Sequence, residues 1–147
     1  MNEEFRKLVD QLPGLLERLV SSPALHRSNL RRLPERGVYV LYEAKEPIYA
    51  GRSNRMKERI LEHGRPSSRH NSATFAFNLA GEDARKKRID VSMSRDQLQD
   101  DPAFARRDPE VWRVRALRCW EDPVDLTFFR FVEEADFVFP EELAISS

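Results

Sequence analysis

Cysteine occurs once, at Cys119, so no disulfide can close within the chain and no cysteine-based zinc site can be assembled. No apolar run reaches the length of a membrane span. The opening stretch, MNEEFRKLVDQLPGLLERLV, starts acidic, which fits neither a signal peptide nor a span. A cytoplasmic location without a membrane partner is therefore the expectation. Charge of either sign is not in excess: 25 basic residues face 25 acidic ones, so no global field draws the chain to a polyanion. Any such binding must come from local placement. Internal repeats and low-complexity linkers are absent too. A length of 147 residues suits one core, so 1–147 reads as a single domain, with a helical segment over 1–33 and the main body over 34–147.

Local charge is uneven. Arg52, Arg55, Lys57, Arg59, Arg65 and Arg69 stand against only Glu58 and Glu62. The end of the chain is the reverse, with Glu133, Glu134, Asp136, Glu141 and Glu142 and no base after Arg130. Taken alone, either run is ordinary solvated surface.

Periodicity supplies the elements. Phe5, Leu8, Val9 and Leu12, then Leu15, Leu16, Leu19 and Val20, recur at helical spacing on either side of Pro13-Gly14. This predicts two short helices or one broken helix lying over the core. SSPALHRSNLRRLPER reads as connecting chain, with His26 an exposed polar residue. GVYVLYE and PIYAG are short β-favouring runs joined by the polar AKE, which predicts a hairpin. Ser53 or Asn54 can cap a helix running to His63, with Met56, Ile60 and Leu61 inward and Gly64 at its end. ATFAFNLAG fits a short helix or a buried strand, the helix being preferred. ARKKR is a basic surface run. Ser94 caps a short helix in SRDQLQDD. Asp108 to Cys119 reads as a further helix with Pro109 in its first turn, and LTFFRFVEE is the best third strand.

The stretch RGVYVLYEAKEPIYAGRSNRMKERILEHG, Arg36 to Gly64, asks for more than packing. Singly, Tyr39 and Tyr49 read as core aromatics with wet hydroxyls, and Arg59 and His63 as surface residues of an amphipathic helix. Their joint order after two glycine-marked strands reverses that reading. Tyr42, three residues from Tyr39 on one strand, points to the opposite face and is left out.

Gly37-Val38-Tyr39, then Tyr49-Ala50-Gly51, then Arg52, Arg59 and His63 resemble the GIY-YIG nuclease superfamily, with Val and Ala replacing Ile at apolar positions. The resemblance implies an α/β domain over 34–147 with a small, mainly antiparallel three-stranded sheet flanked by helices. It implies a metal-dependent endonuclease that hydrolyses DNA phosphodiester bonds. The alternative is a catalytically impaired nucleic-acid-binding module of the same fold. By the resemblance, Tyr39 and Tyr49 orient or deprotonate the attacking water, with Tyr49 first as the base. A free phenol titrates near about 10, so neighbouring cations must favour its phenolate. Arg59 would grip the scissile phosphate with its planar fork. His63, one turn on, would take up or pass a proton. Arg52, Arg55, Arg65 and Arg69 would contact the nucleic acid.

The same family holds one Mg2+ (or Mn2+) through a single Glu on a helix after the third strand. Here Glu142 is the candidate ligand, with Glu141 as alternate. Pro140 can start that helix, yet few residues follow and no Asn lies beyond Asn78. Weak divalent binding is therefore the expectation. A sheet left bare on that side would favour a homodimer, and a compact domain without an appended reader would take specificity from an accessory subunit.

Overall fold

Two β-favouring phrases separated by a short polar link form the centre of the fold. In the computed structural model, which describes residues 2–70 and 72–118, they are β2 (Gly37–Glu43) and β3 (Glu46–Ser53), paired antiparallel. The turn uses only Ala44 and Lys45, at φ 48° and 72°. Two positive φ values make the tight turn whose twist matches the strands, a conformation that usually selects Asn-Gly. Gly37 enters β2 at φ 149°, open to glycine alone at low cost. Leu41 faces Tyr49 while Tyr42 faces Pro47, so Ile48 is an extra residue that bulges β3.

The partner on the other side of β2 is β4 (Trp112–Arg118), where the sequence predicts a helix. Asp108 and Pro109 do start a helical turn, and Asp108 Oδ1 accepts from the Glu110 amide at 2.9 Å. That turn is a single 3-10 segment, Pro109–Val111. Beyond it WRVRALR is extended, with Trp112 and Val114 buried on one face of the sheet and Arg115 and Leu117 on the other. Val111, Val114 and Leu117 also match a helical stripe, so spacing alone misleads here. The predicted connecting chain likewise contributes a two-residue strand, β1 (Leu25–His26), on the far edge of β4. Among the described residues the sheet is thus four-stranded and antiparallel, in the order β1-β4-β2-β3, rather than three-stranded. LTFFRFVEE, the predicted third strand, lies outside the described residues, as do Cys119, Glu141 and Glu142.

One continuous helix, α1 (Glu3–Ser21), stands where two short helices or one broken helix were predicted. Asn2 caps it by accepting the Glu4 amide at 2.9 Å, and Glu3 and Glu4 sit where the helix dipole favours acids. Pro13 is accommodated inside. The loss of one backbone bond is outweighed by an unbroken apolar stripe, in which Leu12 and Leu19 pack on Val38, Val40, Tyr42 and Leu117. Arg115, across from Val40, is buried on the same face, and its Nη1 donates to the Ser22 carbonyl. Burial pushes the Tyr42 phenol up to about 12, although Arg115 pulls it the other way. Tyr42 therefore belongs to the core face, as its parity requires.

The described residues divide into two compact units, one of residues up to Lys57 with Val111 to Arg118, the other Glu58–Glu110. Helix α2 (Met56–Gly64) starts in the first and continues in the second. The second unit also holds α3 (Thr74–Lys86) and α4 (Arg95–Asp100). The helical alternative for ATFAFNLAG is the observed one. Phe77, Ala80 and Ala84 of α3 pack with Leu98 and Phe104. Ser94 and Gln97 form a reciprocal cap on α4. At the end of α3 the Ile89 amide reaches the Ala84 carbonyl and the Arg88 amide reaches Arg85, with Arg88 at φ 58°. This is the left-handed helix stop that glycine usually fills. No described helix is long and apolar enough to cross a membrane.

Candidate functional site

Strand parity brings the two tyrosines together. Tyr39 faces Gly51 across the hairpin and Leu41 faces Tyr49, so Tyr39 and Tyr49 are diagonal neighbours on one sheet face. Their ring centroids are 6.1 Å apart at 51°. A Cβ built on Gly51 would stand 2.5 Å from Tyr39 Oη and 2.8 Å from Cε1, closer than any side chain tolerates. The glycine of the second phrase is thus the seat of the tyrosine of the first. Tyr39 is buried and Tyr49 half-buried, so Tyr49 is the phenol with access to water.

Arg52 is not brought to this pair. It faces Val38, which lies among the α1-facing core residues, and its side chain is exposed on that opposite face. Arg55 is exposed in the short link to α2, where its amide donates to Ser53 Oγ at 2.9 Å.

Arg59 and His63 occupy successive turns of α2, in the second unit. Arg59 Nη1 donates to the Ser72 carbonyl at 2.7 Å and to Glu62 Oε2 at 3.2 Å. Both partners fix the guanidinium. Glu62, three residues on, was available to helix-neighbour reasoning; Ser72 enters only through the folding of the 65–73 loop. His63 is 1% exposed and meets the Phe75 ring edge-on at 5.7 Å. Burial, with Arg59 adding to it, pushes the imidazole down to about 4. At neutral pH His63 is uncharged, not a second cation.

Arg65 and His63 line one cleft of about 430 Å³, together with Gly64, Gln99, Arg106 and Asp108. Arg106 secures it by donating to the carbonyls of Arg65 and Ser68, and Arg107 clasps Asp83 with bonds of 2.6 and 2.8 Å. These bonds hold the Asp83 carboxyl below its usual range. Arg69 is exposed but pairs with Asp96 at 3.0 Å, and His70 Nε2 lies 3.2 Å from the same carboxylate.

A divalent ion needs several hard oxygen ligands. Among the described residues no group of three His, Cys, Asp or Glu converges to hold one. Glu141 and Glu142, the candidate ligands, lie outside the described residues. Chemically, the described groups offer a phenol pair beside a glycine in one unit. In the other they offer a fixed guanidinium one turn from a neutral imidazole.

Compared with models of protein families, with curated proteins and with solved structures, the chain finds no match.

Proposed function

We propose that this chain is an endonuclease of the GIY-YIG kind, acting on the phosphodiester bonds of DNA. The observation that carries the reading is the seating of Tyr39 over Gly51 with Tyr49 alongside. It gives both tyrosine–glycine phrases a shared steric purpose and places two phenols on one face. In hydrolysis a water oxygen attacks phosphorus, the water loses a proton, and the bond to the leaving sugar oxygen breaks. Tyr49, half-buried and open to solvent, relays that proton, accepting it at Oη as its own phenolic proton passes to solvent; Tyr39 sets its position, and the leaving sugar oxygen takes up a proton from water. Arg59, held by Glu62 and Ser72, meets the charge that builds on the phosphate oxygens. His63 enters uncharged and is suited to relay a proton.

Plasmid nicking in Mg2+ or Mn2+ tests this. Arg59→Ala should lower the cleavage rate by roughly 10²–10³-fold, the cost of losing one preorganised donor. Arg59→Lys should recover only part, since an ammonium keeps the charge and loses the fork. Near-normal cleavage by folded Arg59→Ala would remove Arg59 from the mechanism. DNA binding in chelator without cleavage in either metal would favour the binding-module alternative.

A further inference from the structure

The Glu58–Glu110 unit carries a second cleft. Between α3 and α4 lies a cleft of about 360 Å³, lined by Phe77, Asn78, Gly81, Arg85, Arg95 and Phe104. Its size is that of a small-ligand pocket. Asn78, Gly81 and Arg85 fall on one stripe of α3, and the Arg95 guanidinium lies 5.6 Å from the centre of the Phe77 ring. None of Tyr39, Tyr49, Arg59 or His63 lines it.

Gly81 is the telling residue. It sits inside α3, where glycine is the least favourable residue apart from proline. Its backbone does not require glycine, because it is helical. Nor does packing, since an added Cβ would meet Phe104 no closer than 3.8 Å, ordinary contact. What the missing side chain does leave is room in the cleft. Charge gives the second half of the argument. Arg85, Lys86, Lys87 and Arg88 are all exposed at the end of α3, and Arg95 stands across the cleft. The helix dipole favours cations at this end, but it accounts neither for Arg95 nor for Gly81. Among the described residues Glu82 is the one acid in the lining, and neighbouring Asp83 is clasped by Arg107.

We propose that this cleft takes one unpaired base of a single-stranded polynucleotide, while Arg85 to Arg88 hold the flanking phosphates. Phe77 and Phe104 are buried, and the exposed Arg95 guanidinium lying over the Phe77 ring is the planar surface on which a base can stack without regard to sequence. Asn78 offers a donor and an acceptor to the base edge. The site would hold a displaced or unpaired strand, which deepens the nucleic-acid reading above without depending on cleavage.

Fluorescence anisotropy on the full chain, in chelator, tests it with a ten-residue oligothymidylate, the matching oligouridylate, and an abasic strand of equal charge. At least one base-bearing strand should bind about tenfold more tightly than the abasic strand, the scale of one base stack. Gly81→Leu should remove that difference while leaving abasic binding intact. Arg85→Ala/Lys87→Ala should weaken all strands and reduce the salt slope by roughly 1.4, two single-strand charges. Gly81→Ala should raise the melting temperature by about 3 °C, since helix propensity improves and nothing clashes. Equal affinity for abasic and base-bearing strands would overturn the proposal, as would an unchanged preference in folded Gly81→Leu or a lower melting temperature for Gly81→Ala. Arg59→Ala should bind these strands normally, so loss of cleavage and loss of base capture are separate outcomes.

Discussion

Acidification should destabilise this protein through His63. In the unfolded chain its imidazole titrates at 6.5; folded, it titrates at about 4 because burial and Arg59 both disfavour the cation. The folded state therefore binds fewer protons than the unfolded state between those values. The stabilisation is complete above the unfolded value and is lost as pH falls toward the folded one. Each unit of this window is worth about 1.4 kcal/mol, so moving from pH 7.5 to pH 4.5 should cost roughly 2–3 kcal/mol from His63 alone. That corresponds to a fall in melting temperature of roughly 5–10 °C for a chain of this size. Carboxylates such as Asp83, held low by its bond to Arg107, also lose stability in acid. Comparison with His63→Phe isolates the histidine, because both proteins share the carboxylates and the aromatic volume beside Phe75 is retained. Urea denaturation at the two pH values should give a smaller acid loss in the variant by about that amount. Should His63→Phe fold poorly, the imidazole Cε1 proton followed by NMR in the unaltered chain gives the midpoint directly. A midpoint near 6.5, or equal acid losses in both proteins, would refute the reasoning. Cleavage, where measured, should show no inflection near pH 6.5 from this residue.

Gly51→Ala should destabilise by about 1–3 kcal/mol, the range for overpacking, because Tyr39 occupies the space of the new methyl. Chemical denaturation should show most of that loss disappearing in a Tyr39→Leu background, and strict additivity would contradict the seating. Ala44→Asn/Lys45→Gly should stabilise by about 1 kcal/mol, since both residues hold positive φ in a tight hairpin turn; thermal melting checks it, and no gain would mean the turn is not so strained. Arg88→Gly should stabilise by a similar amount, about 1 kcal/mol, by relieving a left-handed helix stop, as read from the urea midpoint.

The hairpin, the helix after it, the capped α4 and the opposite facing of Tyr39 and Tyr42 were legible in the chain itself. Each depends on neighbours close in sequence: two β-favouring runs around a polar link, a serine three residues before a glutamine, alternation along one strand. The order of Tyr39, Tyr49, Arg59 and His63 was legible for the same reason. Tertiary structure decided the rest. WRVRALR carries both a helical and a strand pattern, and only the open edge of β2 selects the strand. Pro13 marks a break by local rules, yet the sheet beneath α1 rewards an uninterrupted apolar stripe. Leu25 and His26 carry no strand signal and pair only because β4 has a free edge nearby. Arg52 looks equivalent to Arg59 as a cation after the second phrase; the pleat sends it to the face opposite Tyr49. The neutrality of His63 has no sequence signature, because it arises from burial beside Phe75 and from the charge of Arg59. Local propensity and period are properties of short segments, whereas edge pairing, desolvation and the room left at Gly51 exist only once distant segments meet.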